Sequence, residues 1–193
     1  MRSEFNNLKR KRISIFPLSD LHLGSPHCNL DYFEYWKTVF KKCESTYKFI
    51  YLLGDLIDLQ SLRIGAWETS LSADEQVNQL IKLLKPYRKY IRFMVSGNHP
   101  KRALKDYNFD IGAVIAESLD IPYHRNDFFD TITVEDKPFT IYGTHGIRFS
   151  KKQKLAEKNF IEDMQTVNAD LCLQGHNHYA SGFDSVVRTP EGL

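Results

Sequence analysis

The chain has 193 residues, with 26 basic and 24 acidic side chains, a net charge of +2, and 42% hydrophobic and 26% charged residues. That length suits one domain, 1–193, with a substantial core, and the composition is ordinary for a soluble globular protein. No apolar run approaches the ~20 residues that span a bilayer, so no membrane partner is expected.

The start, "MRSEFNNLKRKR", lacks the apolar core of a signal peptide. Residues 1–11 are expected to be a basic, flexible N-terminus. The three cysteines, Cys28, Cys43 and Cys172, are far apart and show no metal-type C-x-x-C spacing. A reduced, cytoplasmic compartment is the simplest expectation. The basic clusters "LKRKR", "HPKRALK" and "SKKQKLAEK" are expected to be solvated surface, with nucleic acid as the partner they would fit.

In chain order, "ISIFPLS" at 13–19 reads as a buried strand. Residues 31–43 follow as a helix with Tyr32, Trp36, Val39, Phe40 and Cys43 on one stripe. "KFIYLLGD" at 48–55 is a second strand closed by a glycine. The loop that follows contains Trp67, placed to cap a pocket, meet a partner or pack locally. Ser72-Ala73-Asp74-Glu75 is a capping box. It opens a helix with Val77, Leu80, Ile81 and Leu84 inward, which Pro86 follows.

"YIRFMVSG" at 90–97 is a third strand, and Ile111, Val114, Ile115 and Leu119 give another helical stripe. The segments 130–136 and 138–144 alternate with period two and read as a hairpin. Residues 151–167 are expected to be a helix with Leu155, Phe160, Ile161, Met164 and Val167 inward. "ADLCLQG" at 169–175 is a further strand, and "SGFDSVV" at 181–187 another candidate. This order predicts an α/β protein with a mixed sheet system. Ligand sites in such folds lie beyond the carboxyl ends of strands.

Five strand ends carry the same kind of chemistry. They read Asp20-Leu21-His22, Gly54-Asp55-Leu56-Ile57-Asp58, Gly97-Asn98-His99, Gly143-Thr144-His145 and Gly175-His176-Asn177-His178. Five of the seven histidines lie there. His, Asp and Asn together form a ligand set for divalent metals such as Mn, Fe or Zn. Alternation along an extended chain would put both side chains of Asp20-x-His22, and of His176-x-His178, on one side. The glycines before Asp55, Asn98 and His176 would let the backbone turn close to an ion. His27 and His124 get bland readings, as a loop residue and a structural residue.

These motifs resemble the calcineurin-like metallophosphoesterases, whose pattern is D-x-H, G-D, G-N-H followed by an acid, a glycine-flanked His and G-H-x-H. The resemblance runs from Asp20 to His178. It implies an αββα sandwich of two mixed sheets flanked by helices, shortened at its C-terminal sheet because only fifteen residues follow His178. It also implies two divalent transition-metal ions, Mn first, with Fe, Zn, Ni or Co as alternatives. Asp20, His22 and His178 would hold one ion, Asn98, His145 and His176 the other, and Asp55 would bridge them. His99 would face the substrate as donor. Arg102 would offer its planar fork to a phosphate oxygen, and Asp58 would support the ligands by hydrogen bonding.

Two metals ~3.5–4 Å apart can share a water and lower its pKa. The expected reaction is therefore attack of a metal-bridging hydroxide on a phosphoester. Phosphodiesters of nucleotides or nucleic acid are favoured and phosphomonoesters are the alternative. Two other readings are a non-catalytic scaffold of the same fold and a nucleic-acid-binding nuclease. The scaffold is disfavoured because every ligand position is filled. Pro100 departs from the pattern by standing where an acid is expected. Asp106 or Asp110 would then replace that acid, or His99 would act as a neutral donor. Either way the acidic limb of the pH–rate profile is expected to be displaced.

Overall fold

The computed structural model describes residues 5–8 as backbone, and 12–60, 69–134 and 136–178 in full. The loop around Trp67 and the candidate strand at 181–187 lie outside the described residues.

The chain runs β1 (Phe5–Leu8), β2 (Ile13–Leu18), α1 (Leu30–Lys42), β3 (Tyr47–Leu53), α2 (Ala73–Leu84) and a 3₁₀ segment (Lys85–Tyr90). It continues through β4 (Ile91–Val95), α3 (Pro100–Tyr107), α4 (Ile111–Leu119), β5 (Tyr123–His124), β6 (Asp127–Val134), β7 (Lys137–Thr144), α5 (Gln153–Met164) and β8 (Leu171–Gln174). Two four-stranded sheets form, in the orders β2-β3-β4-β5 and β1-β6-β7-β8. The first is wholly parallel. The second is mixed: β6 and β7 form the expected hairpin, while β1 and β8 are parallel to their neighbours. This is the anticipated α/β architecture of two sheets flanked by helices, with the correction that only the second sheet is mixed.

The parallel strands read as nearly continuous apolar runs because both faces of their sheet are covered. Along β3, Ile50 and Leu52 face a core built with Phe33, Trp36 and Phe40 of α1, Leu80 and Leu84 of α2, and Ile115 and Leu119 of α4. Phe49, Tyr51 and Leu53, on the other face, join Phe93, Val95, Phe128, Ile132 and Ile141 between the sheets. Phe128 stacks on Tyr51 and Phe93, with ring centroids 5.5 and 4.7 Å apart. Fully burying a side chain of this size stabilises by ~1.5–3 kcal/mol. One polar network crosses this layer. Arg92 donates to both oxygens of Asp130 (2.9 and 2.6 Å), and the Tyr51 hydroxyl donates to Oδ2 (2.7 Å). Burial and the adjacent Asp130 carboxylate push the Tyr51 phenol well above its ordinary value.

The capping box of α2 is present: Ser72 Oγ accepts the Glu75 N–H, and the Glu75 carboxylate accepts the Ser72 N–H. Four further expectations need correction. Residues 5–8, expected to be flexible, form β1. The buried stripe of α1 is Phe33, Trp36 and Phe40, while Tyr32 and Val39 are exposed. Trp36 and Phe40 of the expected stripe are inward, and Phe33 takes the place of Tyr32 and Val39. In α5 only Ala156 is buried, and Leu155 and Ile161 are exposed. Helix α3 was not anticipated. Proline is favoured in a first helical turn, where its missing N–H is not needed, so Pro100 starts the helix beyond His99.

Candidate metal centre

The second residue beyond β2 is Asp20 and the second beyond β3 is Asp55, and the two segments run side by side. Asp20 N–H donates to Gly54 O, His22 N–H to Asp55 O, and Leu23 N–H to Leu56 O, each at 3.0 Å. Gly54 turns at φ 89°. Gly97, at the end of β4, sits against Asp55 so closely that a Cβ there would overlap the Asp55 carboxylate.

Among the described residues, nine non-glycine residues have positive φ. Five of them are Asp20 (54°), His22 (46°), Asp55 (48°), His176 (75°) and His178 (57°). L-residues rarely occupy this region, and such strain concentrates at functional sites. It also corrects the expected reason for the D-x-H and H-x-H spacing. These segments are not extended; a chain of left-handed turns aims the side chains together.

Three donor groups result, each with its ligating atoms within 4.8 Å of one another: Asp20, His22 and His178; His22, Asp55 and His99; and Asp55, His145 and His176. His22 Nε2 lies 3.3 Å from His178 Nε2, and Asp20 Oδ1 is 3.4 Å from the same His178 nitrogen. His145 is buried, and its Nδ1 donates to Leu53 O (2.8 Å). That bond makes Nε2 the lone-pair atom of the neutral ring. Nε2 then points at two more acceptors, Asn98 Oδ1 (2.9 Å) and Asp55 Oδ2 (3.2 Å). Lone pairs that converge on one point need a cation between them, a proton on the ring or a metal ion. Asp20 Oδ1 is buried without a hydrogen-bond partner, which adds an acceptor with the same need. The residues present therefore fit divalent metal.

The electrostatics agree. Burial pushes the Asp20 carboxyl up, but the adjacent His178 and the hydrogen bond from Ser19 outweigh it and hold it below the ordinary carboxylate value. Burial likewise opposes ionisation of Asp55, and His145 overrides it. Burial lowers His145, yet the Asp55 carboxylate holds it above the usual imidazole value. His178 is raised by its bond to Asp20. His22 is lowered by burial and by His99, and His176 by burial and by His145.

His99 lies at the rim between the first two groups. Its Nδ1 meets the Asp58 backbone carbonyl, and Asp58 Oδ1 is 3.3 Å from the same nitrogen. Its backbone N–H donates to Asp55 Oδ1 (2.8 Å). The carboxylate facing His99 is thus Asp58, neither Asp106, which is exposed, nor Asp110, which caps α4 and binds Tyr123 and Arg125. Asp58 Oδ1 is also 3.4 Å from His22 Nδ1. The guanidinium of Arg102 contacts both His99 nitrogens at 3.2 and 3.1 Å and reaches Gln60 Oε1. Of the remaining histidines, His27 is exposed in a turn and His124 packs on Phe93.

Two residues were not singled out from sequence. Gln76, buried in α2, accepts the Leu59 N–H and donates to Leu71 O; it supports the segment beyond Asp58. Asn177 accepts the Ser150 N–H (2.9 Å) and donates to Arg148 O (3.3 Å). The signal for Asn177 was its place between the candidate ligands His176 and His178.

Strand-end His, Asp and Asn donors on a two-sheet α/β fold define a metal-dependent phosphoesterase. Residues 13–186 match the family model described as calcineurin-like phosphoesterase, and the chain belongs to that family. No curated protein matches the chain. Among the described residues, no helix is long and apolar enough to cross a membrane.

Proposed function

We propose that the chain is a dinuclear phosphoesterase, with nucleotide or nucleic-acid phosphodiesters as favoured substrates and phosphomonoesters as the alternative. Asp20, His22 and His178 would hold one divalent ion and Asn98, His145 and His176 the other, with Asp55 placed to contribute to both. Mn is the favoured metal. The observation that carries this reading is the convergence of acceptor lone pairs around Asp55 and His145. When bound, two such ions supply an activated water at neutral pH and offset phosphate charge.

The protein's own groups do the rest. Asp55 has one oxygen tied to the His99 N–H, which orients the other toward His145. Asn98 contributes a neutral oxygen, so the centre keeps positive charge for an anionic ester. The Asp58 carbonyl takes the His99 Nδ1–H, so Nε2 would donate to the leaving oxygen from the protonated ring, a role worth ~10²–10⁴ in rate. Arg102, beside His99, offers planar donors to a non-bridging oxygen.

The test is metal analysis together with hydrolysis of bis-p-nitrophenyl phosphate in Mn²⁺. Two bound ions and turnover well above an Asp55→Asn control are expected. Turnover equal to that control would remove the enzyme reading.

A further inference from the structure

Phe149 stands against the histidine cluster from outside it. Its ring is edge-to-face with His176 (centroids 5.6 Å, 69°) and with His178 (6.4 Å, 72°). Yet it is 53% exposed, and Ile147, two residues before it, is 92% exposed. Among the described residues no core covers these two large apolar side chains, and neighbouring exposed apolar groups beside a site can serve as ligand contacts.

The loop that bears Phe149 is fixed rather than frayed. Asn177 holds the backbone on both sides of Phe149, at Arg148 O and Ser150 N. Arg148 is anchored to α5 through both Asp163 oxygens (3.3 and 2.6 Å), Glu162 (2.9 Å) and Asn159 O (2.9 Å). Ser150 Oγ accepts the Lys152 N–H. The same Asn177 separates His176 from His178, so one side chain ties the ring's position to the histidines it faces. A rigid aromatic ring with an open surface beside a phosphoester centre suits a planar group one sugar away from the phosphate.

We propose that Phe149 is a specificity residue that stacks a nucleobase, so that the site takes phosphoesters of nucleosides in preference to esters lacking a base. This rests on the phosphoesterase reading above. Base–aromatic stacking tolerates any base, because every base has a π-face, and is worth roughly 5- to 150-fold in affinity. Selection is therefore for nucleotide over non-nucleotide, not for one base.

Two assays test it. The first compares kcat/KM, with Mn²⁺, for thymidine 5′-(p-nitrophenyl phosphate) and methyl p-nitrophenyl phosphate, which share a leaving group and differ in carrying a nucleoside or a methyl group. The wild type should prefer the nucleoside ester through KM. Phe149→Ala should lose that preference with the methyl ester's rate little changed, and Phe149→Trp should keep it. The second measures binding of thymidine 5′-monophosphate and ribose 5-phosphate by calorimetry on the His99→Ala protein, with and without Phe149→Ala. An oligothymidylate added to this set separates the two sources of the base. Much tighter, salt-sensitive binding of the oligomer assigns single-stranded nucleic acid, and equal binding assigns free nucleotides; both support the inference.

A nucleoside preference that is absent in the wild type, or unchanged in Phe149→Ala, overturns it and leaves the phosphoesterase reading standing. If neither ester is hydrolysed with Mn, Fe, Zn, Ni or Co, the phosphoesterase reading fails, and the binding ratio still decides the role of Phe149.

Discussion

Asp58 is the carboxylate that faces His99, where an acid at position 100 was expected to stand. It lies within 3.4 Å of nitrogens on both His22 and His99, and its other oxygen, Oδ2, is buried without a hydrogen-bond partner. Outer partners of this kind typically matter by ~10–100-fold. Asp58→Asn is expected to lower kcat toward bis-p-nitrophenyl phosphate by about that factor while circular dichroism stays native. A change under twofold would remove Asp58 from the positioning of His99. Gly97 tests the centre from the backbone side. A methyl there collides with the Asp55 carboxylate, so Gly97→Ala should weaken metal binding, measured as bound Mn per chain after dialysis. Sequence spacing brought Asp58, Asn98 and His99 into view one by one, but the pairing of Asp58 with His99 spans 41 residues and depends on how β3 and β4 end side by side.

The helices show where local signals suffice. Ser72 and Glu75 cap α2 through bonds closed within three residues, so the sequence pattern and the structure agree. Asp110 does the same for α4, accepting the Ala113 N–H, and adds tertiary partners in Tyr123 (2.8 Å) and Arg125 (2.7 Å). Burial opposes ionisation of Asp110, but Arg125 and Tyr123 outweigh it and depress its carboxyl. Its folded value lies below the unfolded one of about 3.9. Its stabilisation is therefore full above that pH and fades as pH falls through the folded value. Asp110→Ala should cost ~1 kcal/mol at neutral pH. The gap in melting temperature from the wild type should narrow in acid; a gap that stays constant down to pH 2 would contradict this. In α1 local pattern placed Trp36 and Phe40 but not Phe33, and in α5 it failed. Apolar residues occur on more than one face of each, and which face is buried depends on what packs against the helix. For α1 the sheet selects Phe33, Trp36 and Phe40; for α5 the described residues bury Ala156 alone.

Across the whole molecule, the two sheets meet over an apolar layer with one ion pair inside it. Arg92 on β4 and Asp130 on β6 come from different sheets, so their bond couples the half that carries Asp20, Asp55 and Asn98 to the half that carries His145 and His176. Removing one partner of a buried pair leaves an unmatched charge and costs ~3–5 kcal/mol, whereas replacing both by apolar residues is often close to neutral. Arg92→Met should lower stability by about that much in urea unfolding, and Arg92→Met with Asp130→Leu, in a Tyr51→Phe background that leaves no buried hydroxyl unpaired, should recover most of it. A double variant as unstable as the single one would mean the pair does more than satisfy its own charges. The residue types of the centre, their strand-end spacing, the α/β class and the family were all legible in the chain, because metal-binding chemistry restricts which side chains can serve and hydrophobic period marks the strands that carry them. The left-handed turns at Asp20, His22, Asp55, His176 and His178, the partner of His99, the exposed ring of Phe149, the inward place of Phe33 on α1 and the inward face of α5 were not. Each depends on contacts between segments remote in sequence, and packing chooses among local conformations that differ too little in energy for the sequence pattern to rank them.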